Sequence, residues 1–414
     1  IPGGWKTLLW FLVILGIGMF IAGLMTGGEE SVVRTWQAFL INTVFWGGIA
    51  HAGVIFAVIW QITDAKWGRA FKRLAEACAG FLPISFLMFM VVFFGSHVLY
   101  EWTHTPFLHH GEAVKQGWLN LPFFISRNVF WLLLIYGISY WFIKTSIKPD
   151  IALARRLIGS EWGGKFADWV LEDYGEHETE VIRLEKLSRK IAPVLAFVYS
   201  IGGSFLAWDF VMTLDQTWFS TLFGVFVMIG NMHAFLGLML VVAVTVRQKF
   251  GIEEYISINR LHDLAKMTFA FSLLWTYMGY SQYIVIWYAD LPEETPYLII
   301  RSMNAPWNTL FLVIILWVFV SVFLGLLPRT LCRIPNYIRL MGIWVMLGQL
   351  LSVYIMVVPS LQHDGHYHIF MGMHELLITL GFVGAFFLCY LAFLGKLPIL
   401  PISDKHLCRT WHGH

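Results

Sequence analysis

The sequence predicts an all-α integral membrane protein that crosses the bilayer with about ten transmembrane helices. Of its 414 residues, 58% are hydrophobic and only 13% are charged, whereas soluble domains have roughly 25% charged residues. The apolar residues also form ten runs of about 20 residues or more, the length that crosses a hydrocarbon core of roughly 30 Å. In chain order, the runs are Trp5–Met25, Phe39–Trp60, Ala79–Leu99, Pro122–Ile143, Pro193–Thr213, Leu222–Val246, Leu264–Tyr288, Pro306–Leu327, Ile338–Pro359 and Phe370–Leu394. A water-soluble fold has no use for ten such runs.

Aromatic residues mark the ends of many of these runs. They make up 17% of the chain, and the amphipathic rings of Trp and Tyr concentrate at both membrane–water interfaces. Tryptophans near the predicted helix ends are Trp5, Trp36, Trp60, Trp102, Trp118, Trp218 and Trp287. We interpret most of them as lipid anchors.

Lysine and arginine predict the orientation of the helices. If the N-terminus is cytoplasmic and the helices alternate in direction, all but four of the 28 Lys and Arg residues lie on the cytoplasmic side. The exceptions are Arg34, Lys115, Arg127 and Arg301. Cytoplasmic loops of membrane proteins are enriched in Lys and Arg, so we expect a multi-pass protein with both termini in the cytoplasm. The net charge of +2 gives no electrostatic footprint for nucleic acid.

A short internal repeat predicts how the helices are grouped. Predicted helix two contains Gly47–Gly53, with the sequence GGIAHAG, and predicted helix six contains Ile229–Phe235, with the sequence IGNMHAF. Each has a His-Ala pair near mid-membrane, with a Gly three residues before the His. Both helices run from the outside to the inside, so the repeat would be parallel, about an axis along the membrane normal. We therefore expect two four-helix bundles plus two peripheral helices.

We predict one polytopic membrane domain over residues 1–414. The first four-helix bundle covers 35–213 and the second covers 221–360, with the first and last helices outside both. A cytoplasmic connection at 144–190 joins helices four and five. Its stretch Trp162–Lys190 mixes aromatic and aliphatic residues with charges, which predicts one or two amphipathic helices lying on the membrane or on a partner.

His51 and His233 lie deepest in the predicted membrane. An ionisable group at the centre of a membrane helix costs roughly 2.5–3.5 kcal/mol on insertion scales, so such a residue is a functional candidate by default. Three interpretations stand. The two imidazoles could ligate one b-type haem. One or both could lie on a proton path or beside a quinone headgroup. Alternatively, each could make a structural hydrogen bond between helices.

Further polar residues crowd the outer third of the predicted membrane. Asp209 lies near the outer end of helix five, and His97 lies near the end of helix three. His374 and Glu375 begin helix ten, and Tyr283 adds a hydroxyl on helix seven. Together these groups predict a proton exit to the outer side. The alternative is a rim of solvated side chains, which we favour for the histidines of the outer loops.

The sequence holds no motif for a covalently bound redox cofactor. It has no CxxCH for covalent haem and no clustered cysteines for an iron–sulfur cluster. The four isolated cysteines are Cys78, Cys332, Cys389 and Cys408. The His-rich loop at 363–368 offers metal-ligand types, but such a loop is more often a protein contact or exposed, and we expect no metal site. Any electron carrier would therefore be held by other groups or by other subunits.

Two runs carry a resemblance to a known family. Ala207–Thr221 and Trp275–Thr295 resemble the membrane subunits of bacterial alternative complex III, which belong to the wider NrfD/PsrC-like family. The resemblance covers nearly the whole chain in helix number and order. Of the two membrane subunits of that complex, ActC and ActF, the segments Ala65–Arg69, Arg73–Ala77 and Phe81–Pro83 look more like ActF.

The resemblance implies a membrane subunit of a quinol:cytochrome c (or similar acceptor) oxidoreductase in the bacterial cytoplasmic (inner) membrane. Such a subunit has no redox metal of its own and contributes a proton path and the assembly of the complex. The expected partners are iron–sulfur and cytochrome c subunits on the outer side, which carry the clusters and haem c, together with a paralogous membrane subunit and lipid. The quinone would be menaquinone or ubiquinone.

Two alternatives stay open. The chain could be the quinol-oxidising subunit itself, which requires a His and an acid that converge at the outer side of one bundle beside an apolar slot. The His-Ala-Gly at His51 is also a feature of ActC. A secondary transporter would instead need Gly or Pro breaks at matched mid-helix positions. Pro83, Pro122 and Pro193 lie at or near predicted helix ends and supply no such pair.

Overall fold

The fold is all-helical and membrane-spanning, as the sequence predicts. A computed structural model describes residues 3–26, 28–105, 108–109, 112–113, 115–362 and 368–404. Within these residues, nine helices are long and apolar enough to cross a membrane by length and composition. The β-structure of the same residues is one short antiparallel ribbon, in which Leu108–His109 pairs with Glu112–Ala113. The prediction of an all-α, multi-pass membrane protein is confirmed.

The spans are built from helices of very different length. In chain order they are α1 (Gly3–Thr26), α2 (Glu29–Thr63), α3 (Lys72–Glu76), α4 (Leu82–Phe94), α5 (Ser96–Leu99), α6 (Leu121–Ile158), α7 (Gly164–Leu171), α8 (His177–Phe210), α9 (Phe223–Phe250), α10 (Ile258–Ala289), α11 (Thr295–Ser302), α12 (Trp307–Ile314), α13 (Val322–Leu326), α14 (Pro335–Val357) and α15 (Met373–Leu394). Turns of 3₁₀-helix at Arg69–Phe71 and Ala77–Phe81 extend α3 and α4 into one span, Arg69–Phe94. A π-helical segment, Ile315–Ser321, joins α12 to α13.

Helix α10 is a long helix that lacks a sufficiently apolar window to count among the nine spans. Its 32 residues would extend for about 48 Å, but it is not among the nine apolar spans. Hydroxyl-bearing and amide side chains such as Tyr277, Tyr280, Ser281 and Gln282 lower its hydropathy. With α10, the long helices of the described residues correspond to the ten apolar runs of the sequence.

Contacts arrange these helices around α2, which is buried almost continuously from Thr35 to Val58. Helices α2, α4, α6 and α8 pack on one another, and we call them the first group. Helices α9, α10, α12, α13 and α14 pack together likewise, and we call them the second group. The groups meet where α9 contacts α2 and α8, while α1 pairs with α15 on the outside of α2. We call the face at which α1 begins the N-face, and the opposite face the far face.

The connection expected over 144–190 is shorter in the structure. Helix α6 continues to Ile158, and α8 already begins at His177. Between them, α7 turns the small buried side chains Ala167 and Val170 inward, and it packs against α6. Of the expected amphipathic stretch Trp162–Lys190, the first part contains α7 and residues 177–190 form the beginning of α8.

Candidate functional site

His51 lies at the centre of the first group. Its side chain is about 5% exposed, and its ring centroid is 4.8 Å from that of Tyr136 on α6 and 5.9 Å from that of Tyr199 on α8. The Tyr136 hydroxyl is in turn 2.9 Å from the hydroxyl of Ser85 on α4. The Nε2 atom of His51 is buried and has no hydrogen-bond partner within the described residues. Because buried polar atoms are nearly always paired, this nitrogen is free to take a water molecule or another ligand.

A small cavity lies beside His51. It has a volume of about 40 Å³ and is bordered by Gly48, His51, Tyr199 and Asn231 among apolar side chains. This volume holds a few water molecules at most. Gly48 makes the arrangement possible, because a Cβ at that position would lie 2.3 Å from the side-chain amide of Asn231. Since Asn231 belongs to α9, the cavity lies at the junction of the two helix groups.

His233 occupies the corresponding place in the second group. It is fully buried, and its Nδ1 is 2.9 Å from the side-chain nitrogen of Gln349 on α14. An amide NH₂ can only donate, so Nδ1 accepts and the ring proton lies on Nε2, which has no partner among the described residues. The contacts of the two histidines lie in separate helix groups. The cavity between the groups is far smaller than the 300–1,000 Å³ of an ordinary ligand site, so the geometry does not favour joint ligation of a haem.

Asp209 is buried at the far end of the first group and has a cationic partner. The Arg127 Nε and Nη2 atoms donate to its two carboxylate oxygens, each over 2.7 Å, and Asn128 donates over 2.8 Å. The Arg127 guanidinium also lies 3.9 Å from the centre of the Trp118 ring. This arrangement satisfies the carboxylate and joins α6 to α8.

His374 and Glu375 join α15 to α2 at the far face. Glu375 forms an ion pair of 2.6 Å with Arg34 and accepts a hydrogen bond of 2.9 Å from the backbone N–H of Gly372. The His374 Nε2 atom is 2.9 Å from the Thr35 hydroxyl. These bonds share no partner with Asp209. The polar residues expected in the outer third therefore lie in separate contacts rather than in one cluster.

The remaining candidates lie nearer the surface. His97 is exposed, and a ring nitrogen of His104 lies 2.6 Å from its carbonyl oxygen. Tyr283 is half-buried on α10, and its role stays a prediction. Residues 363–367 of the His-rich loop lie outside the described residues. Within the described ranges, no three His, Cys, Asp or Glu residues stand close enough together to hold a metal ion.

The structure reveals a buried charge cluster at the N-face of the first group, which sequence reasoning missed. The Arg73 Nε atom donates to Asp150 over 2.7 Å, and the same guanidinium also bonds Glu76. Ser146 donates to Glu76 over 2.6 Å, and the backbone N–H of Ser403 donates to Asp150 over 2.8 Å. All three charged side chains are buried. We call these five residues the N-face cluster.

A polar pocket of about 150 Å³ adjoins this cluster. Arg69, at its rim, bonds both Asp64 and Asp404 over 2.5 Å. The charged groups of the pocket and cluster are three cations, Arg69, Lys72 and Arg73, and five carboxylates, Asp64, Glu76, Asp150, Glu185 and Asp404. Two carboxylates in excess of the cations, next to a pocket large enough for water, make a place at which a proton can be taken up.

The two helix groups differ in their buried acids. Among the described residues, the buried carboxylates are Glu76, Asp150, Glu180 and Asp209, and all belong to the first group. Beside the second group, α11 instead buries Arg301, whose guanidinium donates to the carbonyl oxygens of Ile355 and Met356 on α14 over 3.0 and 3.1 Å. The buried carboxylates of the described residues are therefore concentrated in the first group.

Comparison of the chain with models of known protein families gives no match, and comparison with curated proteins gives none either.

Proposed function

We propose that the first helix group forms a proton path, in a membrane subunit of a quinol:cytochrome c (or similar acceptor) oxidoreductase. The observation that carries the proposal is a buried polar stripe on one face of α6. Its members are Asn128, Tyr136, Ser139, Ser146 and Asp150. Their spacings of three, four, seven and eight residues keep them on one side of the helix, and the stripe extends for about 33 Å. That length matches the thickness of the hydrocarbon core.

The stripe connects the polar sites at different depths. At the N-face, Ser146 and Asp150 belong to the N-face cluster. Near the middle, Tyr136 lies against His51, which borders the small cavity. At the far end, Asn128 bonds Asp209. Hydroxyl groups and imidazole nitrogens both donate and accept hydrogen bonds, so a proton that enters at the cluster can pass along such groups and intervening water to the far face.

The redox context rests on the resemblance in Ala207–Thr221 and Trp275–Thr295. Within it, the quinol would be menaquinol or ubiquinol, and iron–sulfur and cytochrome c partners would take the electrons. The exposed acids Asp290 and Glu293 at the far end of α10 support a docking surface for those partners. The Lys and Arg asymmetry supports a cytoplasmic N-face in a bacterial cytoplasmic membrane.

An exposed stripe on α10 supports the role in assembly. Tyr277, Tyr280 and Tyr288 are 64%, 60% and 84% exposed, and they follow one side of the helix together with Ile284. Hydroxyl groups that face lipid have no water to bond in the hydrocarbon region, and polar side chains there commonly bond a neighbouring helix. A paralogous membrane subunit that covers this stripe would satisfy them.

The alternative of a quinol-oxidising subunit has less support from the geometry. It requires His51 and an acid to converge beside an apolar slot, but Asp209 is held by Arg127 and Asn128. The cavity of about 40 Å³ beside His51 is also too small for a quinone ring at the volumes usual for ligand sites.

The test is proton release by the complex that copurifies with the tagged chain. Haem and iron–sulfur content identify the partners. The complex is then placed in vesicles, and protons moved per electron are measured with a pH indicator. Tyr136→Phe removes the hydroxyl that bonds Ser85, and we expect it to lower this ratio at least twofold. Tyr337→Phe, which removes a hydroxyl bonded to Gly325 in the second group, is the matched control. An equal ratio in both variants contradicts the proton path, and a chain that purifies without redox partners contradicts the redox context.

A further inference from the structure

A long apolar groove runs along the outside of the first group, away from the polar stripe. It lies between α1, α4 and α15 and has a volume of about 570 Å³. Trp10 and Ile17 of α1, Met88 of α4 and Ala385 of α15 are among the residues that line it, and Lys6 is the charged one among them. The groove therefore offers hydrocarbon contacts along its length and a single cation at its N-face end.

The dimensions of the groove decide what kind of group fits. From Lys6 to Phe20, both of which line it, α1 rises about 21 Å. Spread over that length, the whole empty space of the groove, about 1340 Å³ including its open side, gives a mean cross-section of at most about 64 Å². A helix with side chains is about 10–12 Å across and needs roughly 80 Å² or more. The groove is too narrow for a helix of another subunit, but its shape suits an extended hydrocarbon chain.

The charge of Lys6 at the N-face end of the groove favours some molecules with a hydrocarbon chain over others. Lys6 is exposed, and it takes part in none of the ion pairs found among the described residues. A Lys at the level of the headgroups attracts anionic lipids, by about 1 kcal/mol for each cation. A quinone ring, by contrast, carries no charge to pair with Lys6.

We propose that this groove binds an anionic phospholipid, with one acyl chain along α1 and α15 and the headgroup phosphate at Lys6. The bound chain fills the space between the α1–α15 pair and α4, where protein contacts leave a gap. The lipid therefore holds the outer pair of helices against the first group. This role does not depend on the proton path.

The experiment compares lipid retention by native mass spectrometry. The complex is purified in mild detergent and exchanged into micelles that contain equal amounts of phosphatidylglycerol and phosphatidylcholine. We expect the native chain to retain phosphatidylglycerol in preference, and Lys6→Gln to lower its affinity about fivefold. Lys190→Gln removes an exposed lysine in the N-face part of α8, outside the groove. We expect this control to retain phosphatidylglycerol as the native chain does.

A second variant tests the groove itself. Ala385→Trp places an indole in the apolar part, and we expect it to lower the retention of phosphatidylglycerol while Lys6 is intact. Thermal unfolding of this variant in detergent checks that it folds. Equal retention of the two lipids by the native chain, equal loss in the two Lys variants, or a quinone as the retained molecule would each overturn the proposal.

Discussion

The guanidinium of Arg127 and the carboxylate of Asp209 form a two-point ion pair between α6 and α8, with both N–O distances at 2.7 Å. Both side chains are buried, and Asn128 supplies a further hydrogen bond to Asp209. A buried pair of this kind is costly to break, because the partner left behind is an uncompensated charge. Because of this ion pair, variants of Asp209 can distinguish a structural role of its carboxylate from a role as a proton relay.

Asp209→Asn is expected to destabilise the protein by about 3–5 kcal/mol, because it leaves the charge of Arg127 buried without its counterion. Unfolding by a denaturing detergent measures the loss. The double variant Arg127→Met with Asp209→Leu removes both charges and should regain most of the stability. Asp290→Asn, at an exposed acid, is the control. A stable Asp209→Asn variant whose proton release is lost would instead identify Asp209 as a relay on a proton exit to the outer side.

Glu76→Gln is expected to slow proton uptake from the N-face by about tenfold or more, because it removes a carboxylate that can take up the proton. The amide keeps an oxygen that accepts from Ser146, and Arg73 keeps Asp150 as its counterion, so the fold should survive. The measurement is acidification or alkalinisation of vesicles that contain the complex. Glu185→Gln changes another acid of the same pocket, which pairs with Arg189 at the surface. Equal effects of the two substitutions would mean that the N-face cluster is not the entry point.

Gly48→Ala is expected to destabilise the contact between α2 and α9 by about 1–3 kcal/mol, the usual cost of overpacking. The added Cβ would lie 2.3 Å from the Asn231 side chain. Asn231→Ala should relieve the clash. The double variant should therefore lose less free energy of unfolding than the two single variants lose together. Gly137→Ala in α6, where a Cβ meets nothing within 4 Å, should be harmless. Additive effects in the double-mutant cycle would rule out the clash.

Ser272→Ala is expected to cost about 0.6 kcal/mol, and up to about 1.7, the range measured for hydrogen bonds between membrane helices. The Ser272 hydroxyl donates over 2.7 Å to the carbonyl oxygen of Val318, which lies inside the π-helical segment. Such segments disturb the regular backbone bonds of a helix. Ser281→Ala, whose hydroxyl bonds a carbonyl of its own helix at Tyr277, is the matched control in the same denaturing-detergent titration. Equal stability of the two variants would show that this bond does not support the π-segment.

Much of the fold could be predicted from local composition. Each apolar run lies largely in one helical span, because the transfer of side chains from water to lipid depends on short windows of sequence. The helix ends are harder to predict. Helix α6 extends to Ile158 and α8 begins at His177, because helical structure continues into amphipathic sequence that a hydropathy argument assigns to a connection.

The candidate site divides in the same way. The depth of His51 and His233 follows from their place in the runs, and both are buried. Sequence also placed Asp209 near the outer end of helix five, but it assigned Arg127 only to the outer side and did not pair the two. The N-face cluster was missed because Arg73 and Glu76 precede the third apolar run and Asp150 follows the fourth, so no short window contains all three.

The sequence by itself determined that this chain crosses a membrane about ten times, and it located the polar residues that lie within or beside the spans. Only the tertiary structure decided that Arg127 holds Asp209, that Gln349 bonds His233 and that Glu76 and Asp150 share Arg73. The physical reason is that the free energy of burial in lipid adds up along each helix. Pairing instead depends on how each helix is rotated and which neighbour it packs against, and those choices involve residues far apart in the chain.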